Sequence, residues 1–360
     1  MIILKIIIKM IIYFAFLASL ELFLCDYNLN SPIYVYNPRN NNLSSHSNLT
    51  YLPIQNILKK NLILSIIVGY SLDNILPFIK SIIRSNFQNC DIVIFVKNIS
   101  QEVIDCLKSY GIIIYEISTK FNKLEVTLYR WKLYLDFLEK NKQKYHLVLS
   151  IDIRDSIAQK DIFAFYNNSK PFLALFLEDG ILNETFNKNW MINIYGVELH
   201  KIISDKTIIN AGIILGTLNI FIAFLNILWK NILAFPKAVD QSIINYLIYK
   251  DKIFEDYIIL NDNCGPVMTI GLTKRENIIL DSEYNILNFE GQIASIIHQY
   301  DRHKDLLILF KKKFFPECLK DMVVRKNNYI FLFLLEIFMI CLLIKIYFSS
   351  HNLIKNKNMK

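Results

Sequence analysis

The sequence has few cysteines, and they are not arranged as metal ligands. Six cysteines occur among the 360 residues, and no two of them form a Cys-x-x-Cys pair. This spacing argues against a structural zinc site. Some of the four central cysteines could pair in an oxidising compartment, although the sequence does not give their connectivity. They are Cys90, Cys106, Cys264 and Cys318.

The sequence also lacks the basic stripe with interleaved aromatics that marks a nucleic-acid-binding protein. The formal net charge of +8 is modest, and its lysine runs lie at residues 311–313 and near the C-terminus. Such runs usually form solvated or membrane-flanking faces. We therefore expect no nucleic-acid partner.

Apolar residues are abundant, and part of the excess lies at the two ends of the chain. The hydrophobic fraction is 53% and the mean hydropathy is +0.31, which is more than a soluble domain needs. In residues 1–25, Lys5 and Lys9 precede a strongly apolar run. This pattern predicts a signal peptide or signal anchor, the alternative being a buried helix.

A second apolar segment, residues 329–348, is long enough to cross a bilayer. Glu336 near its middle is costly in hydrocarbon unless it is paired or protonated. The tail at 349–360 is basic, as expected of a cytosolic segment. Residues 26–58 are rich in Asn and Ser and are predicted to form a stem or linker. These features predict a secretory-pathway membrane protein of the Golgi or endoplasmic reticulum, with a lumenal central domain at 59–325.

The central domain alternates strand and helix patterns. Strands are predicted at 62–69, 91–96, 111–116 and 147–151, with helices at 74–85, 101–110 and 124–140 between them. Continuous apolar strands in this alternation imply an α/β fold with a mostly parallel, Rossmann-like sheet flanked by helices. After Asp155 the rhythm changes, and a mixed half is expected. Its predicted elements are strands at 172–176 and 208–216 and helices at 162–166, 220–233 and 240–249.

The fourth strand runs directly into carboxylates in the sequence LVLSIDIRD, which contains Asp152, Arg154 and Asp155. A divalent cation prefers carboxylate oxygens and also binds the oxygens of a diphosphate. A strand-terminal turn or helix cap would place aspartates in the same way. Arg154 could neutralise a phosphate or pair with a neighbouring acid.

A histidine ends another apolar run in IIHQYDR, far along the chain. Imidazole together with carboxylate suits Mn²⁺ better than Mg²⁺, so His298 is a candidate metal ligand. Arg302 could hold a phosphate with two hydrogen bonds. A purely structural network of ion pairs around His298 is the competing interpretation.

Two further motifs combine small or amide side chains with a carboxylate. Asn210 and Gly212 lie in a strand pattern, where glycine indicates the close approach of a ligand or of backbone, or a simple bulge. Asp240 and Gln241 open a predicted helix. Asp240 could contact sugar hydroxyls, or it could only cap the helix.

Taken together, these motifs resemble a family of eukaryotic nucleotide-diphospho-sugar glycosyltransferases of the GT-A type. The likeness covers residues 61–308. It is carried, in order, by SIIVGYS, FIKSIIRS, RWKLYLDFL, SIDIRDSIAQKDIF, INAGIILGT, DQSIINYLI and IIHQYDRH. The spacing DIRD departs from a strict Asp-x-Asp.

The resemblance implies a GT-A-like fold and a metal and nucleotide-sugar site. In it, Asp152 and Asp155 would take the carboxylate positions and His298 would be a further ligand. The remaining positions would meet the nucleotide base (Gly69, Tyr70), the diphosphate (Arg130), the donor sugar (Asn210) and the donor or acceptor (Asp240, Gln241).

The leading hypothesis is a metal-dependent glycosyltransferase that moves a sugar from a nucleoside diphosphate sugar to a glycan or protein hydroxyl. An inverting enzyme would need a carboxylate base, for which Asp240, Glu178 and Asp179 are candidates; a retaining enzyme would not need that base. The alternatives are a non-catalytic nucleotide- or glycan-binding membrane protein on the same fold and a structural membrane protein without a ligand.

Overall fold

The computed structural model describes residues 59–118, 123–166 and 170–316, together with Ile337 and Ile340. The predicted N-terminal segment and stem lie outside the described residues, as does the basic tail. The predicted membrane span at 329–348 is also outside them apart from those two isoleucines. In the portion of the chain that is described, no helix combines the length and apolarity needed to cross a membrane.

The first half alternates strand and helix as the apolar patterns predict. The elements are β1 (Lys60–Val68), α1 (Leu72–Arg84), β2 (Cys90–Lys97), α2 (Gln101–Ser109), β3 (Ile113–Glu116), α3 (Lys123–Lys140) and β4 (Tyr145–Ile151). The four strands lie in the order β3-β2-β1-β4, and every neighbouring pair is parallel. The parallel sheet predicted for this half is confirmed.

The second half is mixed, again as predicted. The elements are β5 (Ser156–Ala158), α4 (Ile162–Phe165), β6 (Leu173–Ile181), α5 (Thr185–Tyr195), α6 (Val197–Ile203), β7 (Thr207–Thr217), α7 (Leu218–Ala234), α8 (Asp240–Tyr249), β8 (Ile258–Asn261), β9 (Val267–Thr269), β10 (Ile279–Leu280), β11 (Ile286–Leu287), β12 (Ile296–His298) and α9 (Lys304–Phe314).

One large sheet joins the two halves through β7. Its path is β3-β2-β1-β4-β7-β6-β9-β12-β5, with β8 paired to β6. β7 is antiparallel to both of its neighbours, β4 and β6. The pairs of β6 with β8 and β9, and of β9 with β12, are parallel, whereas β5 is antiparallel to β12. The result is a mixed α/β sheet in which parallel pairs predominate.

Helices cover both faces of this sheet, which explains why its strands are apolar throughout. One hydrophobic cluster joins α3, α7 and α8 to one face, and a second joins α1 and α2 to the other. Phe221 and Phe224 of α7 are fully buried in the first cluster. Truncating either phenylalanine to alanine would cost roughly 3–5 kcal/mol.

The end of β1 is shaped by local backbone chemistry. Gly69 follows the strand with φ +68°, a conformation that favours glycine. Ser71 then forms a capping box with Asn74 and begins α1. Tyr70 is thereby held between the strand end and the helix start, at the edge where the parallel strands end.

Candidate functional site

The two segments singled out in the sequence are hydrogen-bonded neighbours in the sheet. β5 follows Asp155 directly and pairs with β12, so that Ser156 is the register partner of His298. The backbone N–H of Gln299 also donates to the carbonyl of Asp155 at 2.7 Å. Asp152, Asp155 and His298 therefore lie together where β4 and β12 end.

The hydrogen bonds of Ser156 define the tautomer of His298. The Ser156 hydroxyl donates to the Asp152 carbonyl at 2.6 Å, and its Oγ lies 3.1 Å from His298 Nδ1. A hydroxyl has one proton, so Oγ must accept from Nδ1–H. In the neutral imidazole, Nε2 then carries a free lone pair, which is the state that binds a metal.

Gly212 leaves open a small space beside Nε2 of His298. A Cβ at position 212 would lie 2.2 Å from His298 Nε2 and 3.1 Å from Asp152 Oδ2. No side chain could occupy that position without displacing the imidazole. Because Gly212 has no side chain, Nε2 of His298 and Oδ2 of Asp152 border one small open space.

Asp155 is the buried carboxylate of the group, and one of its oxygens is unsatisfied. Oδ2 accepts from Arg154 Nη2 at 3.0 Å. Oδ1 is buried without a hydrogen-bond partner and lies 3.7 Å from His298 Nδ1. A buried polar atom without a partner is uncommon and is often the place of a water or an ion.

Arg130 links Asp152 to Asp240 beneath the site. The guanidinium is 4% exposed and contacts Asp152 Oδ1, Asp240 Oδ2 at 2.7 Å and the Ala211 carbonyl at 3.0 Å. Burial alone would lower the pKa of Arg130, but the two carboxylates outweigh burial and raise it above its ordinary value. Trp131 Nε1 also donates to Asp240 Oδ2, at 3.1 Å.

The predicted residues Asn210 and Gln241 belong to buried amide networks. Asn210 donates to the Phe176 carbonyl at 2.7 Å and to Thr269 Oγ1 at 2.8 Å, and its own oxygen accepts from a backbone N–H. Gln241 accepts from the Ala211 N–H at 3.2 Å. Both amides therefore fix the backbone beside Gly212.

Glu178 and Gln299 extend this network. Gln241 Nε2 donates to Glu178 Oε1 at 3.2 Å and to Asn187 Oδ1 at 2.9 Å, and Gln299 Nε2 approaches Glu178 Oε1 at 3.4 Å. Gln299 has φ +60°, a strained backbone for a residue other than glycine. The sequence assigns no role to Asn187 or Ser156, and it indicates Gln299 only as part of the polar cluster that follows His298. Glu178 is a candidate base there because it is a carboxylate at a strand end.

A cavity of about 160 Å³ opens between the ends of β1 and β4. Its polar lining is formed by Tyr70, Thr127, Arg130, Asp152, Arg154 and Asp155. Burial raises the pKa of Tyr70. The cavity is thus bordered by two cationic groups and two carboxylates.

Several predicted residues, among them Gly69, His298 and Arg302, do not line this cavity. Gly69 is exposed and adjoins Tyr70. Arg154, which does line the cavity, donates from Nη1 to Asp301 Oδ2 at 2.8 Å. Arg302 is half exposed, contacts Asp301 at 3.2 Å and does not line the cavity. The structure therefore brings Arg130 and Arg154 to the cavity but leaves Arg302 outside it.

In the three described ranges, no group of three or more His, Cys, Asp or Glu side chains is arranged to hold a metal ion. The donors that border the Gly212 space are nevertheless of the right kind. They are Nε2 of His298 and Oδ2 of Asp152. The unsatisfied Oδ1 of Asp155 lies instead on the Nδ1 side of the imidazole, 3.7 Å from Nδ1. Among the described residues, these two donors are too few to form a metal site by themselves.

No protein-family model matches the chain, and no curated protein matches it. Among solved structures it is similar to the apo form of the glycosyltransferase GlyE of Streptococcus pneumoniae TIGR4. That match has a TM-score of 0.42 and 16% identity, and it covers 67% of this chain and 54% of that one. This chain therefore spans only about half the length of the GlyE chain.

A second similar structure is a glycosyltransferase involved in the glycosylation of the major capsid of PBCV-1. The TM-score is 0.36 and the identity 13%, over 69% of this chain and 98% of that one. Likenesses at this level do not identify a family, so the functional conclusion must come from the site itself.

Proposed function

We propose that this protein is a metal-dependent glycosyltransferase with a GT-A-like fold. It would transfer a sugar from a nucleoside diphosphate sugar to a hydroxyl of a glycan or protein. The proposal rests on one observation: Asp152, Asp155 and His298 lie close together, beside a cavity that Arg130 also lines. Carboxylates, imidazole and a guanidinium form a donor set suited to a cation and a diphosphate.

The position of the cavity supports the same proposal. In the order β3-β2-β1-β4, the chain leaves β1 towards β2 on one side, whereas β4 is added on the other. β1 and β4 therefore flank a topological switch point, the place where open α/β sheets bind ligands. The cavity lies there, between Tyr70 and the segment from Asp152 to Asp155.

The small number of protein donors agrees with a cation that arrives with its substrate. Asp152 and His298 would hold the ion, Asp155 would supply the neighbouring carboxylate, and diphosphate oxygens would complete the sphere. When bound, the cation would stabilise the charge of the departing nucleoside diphosphate. Mn²⁺ suits the mixed nitrogen and oxygen donors better than Mg²⁺.

In this scheme, Arg130 orients Asp152 through their ion pair and contributes positive charge to the cavity wall. Ser156 keeps His298 in the tautomer whose Nε2 is free. Tyr70 lies at the exposed side, where the nucleotide base would enter. Asn210 and Gln241 hold the backbone around Gly212 at a fixed distance from the imidazole.

The test is release of nucleoside diphosphate by the purified full-length protein from a panel of nucleotide sugars. Release is expected with Mn²⁺ and not with chelator, and Asp155→Ala should abolish it. The proposal would be wrong if no donor in the panel were consumed and no nucleoside diphosphate stabilised the protein in the presence of Mn²⁺.

The second candidate is a non-catalytic nucleotide- or glycan-binding membrane protein on the same fold. It is favoured by the pairing of Asp152 with Arg130 and of Asp155 with Arg154, which neutralises both acids in the absence of a ligand. This candidate predicts nucleotide-induced stabilisation without consumption of any donor. The same panel therefore separates the two functions.

A further inference from the structure

The sequence offers three carboxylates, Asp240, Glu178 and Asp179, as candidates for the base that accepts a proton from an acceptor hydroxyl, and the structure distinguishes among them. Both oxygens of Asp240 are occupied: Oδ1 accepts from the Gln241 N–H at 2.9 Å, and Oδ2 accepts from Arg130 and Trp131. Asp179 is exposed. Since successive side chains of a strand point to opposite faces, it also lies across β6 from Glu178. Glu178 is the remaining candidate.

Glu178 lies at the same level of the sheet as the imidazole. It is the register partner of Thr269 in β9, and Thr269 is the register partner of His298 in β12. Register partners on neighbouring parallel strands share a face, and strands are spaced about 4.8 Å apart. The backbone positions of Glu178 and His298 are thus separated by about 10 Å, with the short side chain of Thr269 between them.

The surroundings of Glu178 suit a proton acceptor. Its side chain is buried and receives amide N–H groups from Gln241 and Gln299 at 3.2 and 3.4 Å. Both distances exceed the usual value of about 2.9 Å, so an incoming hydroxyl could replace either bond. The pKa of Glu178 is raised from 4.5 to about 7, mainly by burial; the hydrogen bonds from Gln241 and Gln299 act in the opposite direction.

We propose, on the basis of the glycosyltransferase function above, that Glu178 removes the proton of the acceptor hydroxyl and that the transfer inverts the anomeric configuration. In this step the acceptor oxygen forms a bond to the anomeric carbon, and its proton passes to Glu178. The bond from the anomeric carbon to the diphosphate oxygen breaks. Its electron pair leaves with the nucleoside diphosphate.

The experiment compares Glu178→Gln with Asp179→Asn in the full-length protein, using the nucleotide sugar and acceptor that the wild type consumes. General-base removal is expected to lower kcat by about 10²–10⁴-fold. The KM for the donor should hardly change, and stabilisation by nucleoside diphosphate with Mn²⁺ should remain. Asp179→Asn should behave as the wild type. NMR of the product should show an inverted anomeric centre.

Two further measurements distinguish a proton acceptor from a structural carboxylate. Wild-type kcat/KM should fall as the pH drops through about 7, because the base must be ionised. The residual activity of Glu178→Gln should not show this fall. Azide needs no deprotonation, so it should restore donor consumption in Glu178→Ala by forming a glycosyl azide.

Retention of configuration, or a change in kcat below about threefold, would overturn the assignment of Glu178 while leaving the transferase function in place. Loss of nucleoside diphosphate binding in Glu178→Gln would also overturn it, because the residue would then act through the fold. If the wild type neither consumed a donor nor bound a nucleotide, the proposed transferase function itself would be wrong, and the assignment of Glu178, which depends on it, would be wrong too.

Discussion

The buried ion pair of Arg130 and Asp240 should contribute strongly to the stability of the fold, and removing one partner tests this. The side chains are 5% and 6% exposed, and Arg130 Nη2 lies 2.7 Å from Asp240 Oδ2. At an effective dielectric constant of about 20, this attraction amounts to about 6 kcal/mol. Asp240→Ala would remove it and leave a buried guanidinium with Asp152 as its remaining carboxylate partner, beside the Ala211 carbonyl and the Trp131 ring.

We therefore expect Asp240→Ala to lower the free energy of unfolding by roughly 3–5 kcal/mol at pH 7, the usual cost of removing one partner from a buried pair. The measurement is urea unfolding of the full-length protein, with the midpoint and slope fitted separately. Glu198→Ala is the matched control. Its partner Lys201 is 64% exposed, so its ion pair should contribute less than about 1 kcal/mol.

The result also distinguishes two interpretations of Asp240. If its carboxylate were a base that only faces substrate, Asp240→Ala would abolish activity and leave unfolding within about 1 kcal/mol of the wild type. A loss of unfolding free energy as small as this would contradict the buried ion pair of Arg130 and Asp240. A large loss would place Asp240 beneath the site, where it holds Arg130 against Asp152.

Three other predictions concern the neighbouring groups. Ser156→Ala frees the Nδ1 proton of His298, and we expect the affinity for Mn²⁺ with nucleoside diphosphate to fall 10–100-fold in calorimetry. Gly212→Ala should abolish that binding by displacing the imidazole, whereas Gly265→Ala, whose Cβ would meet its nearest atoms at 3.3 Å, should not. The pKa of Glu178 is raised from 4.5 to about 7, so its contribution to stability is full below pH 4.5 and lost as the pH rises through 7. Glu178→Gln should therefore be more stable than the wild type by up to about 3 kcal/mol at pH 8 and by little at pH 4.5, as measured by urea unfolding.

The strand and helix order could be predicted because it depends on local patterns. The short apolar run before Asp152, in a chain that alternates strand and helix patterns, predicts a strand covered on both faces, and β4 is such a strand. The carboxyl ends of neighbouring parallel strands meet at one edge, which is why a ligand site is expected at Asp152 and Asp155. This inference needs no knowledge of distant pairing, whereas the place of Tyr70 beside a nucleotide base is implied only by the family resemblance.

The partners of each group could not be predicted, because they depend on register between distant strands. Ser156 meets His298 only because β5 reverses and pairs antiparallel with β12. Arg130 sits in a helix whose pattern shows an amphipathic surface, and nothing local indicates that its guanidinium is buried between two carboxylates. The contact of Glu178 with Gln241 and Gln299 likewise depends on three separate segments.

Helices α5 and α6 were missed for a different reason. The sequence of α5, TFNKNWMINIY, buries only Asn187 and Met191, so it lacks the apolar stripe by which a helix is recognised. Its N-terminus is instead fixed by Glu184, which accepts from the N–H groups of Phe186 and Asn187. Asn187 then contacts Gln241, which ties the helix pair to the site.

The antiparallel strand β7 lies between two groups of candidate site residues. On its β4 side lie Arg130, Asp152 and the cavity at the switch point, where the diphosphate is proposed to bind. On its β6 side lie Glu178 and the amides that hold it. In the proposed transferase, the sugar would then have to lie across Gly212, between these two groups. A side chain at position 212 would displace the imidazole and also occupy that space. An alanine at that position should therefore impair donor binding and transfer together, whereas a change at Glu178 should impair transfer alone.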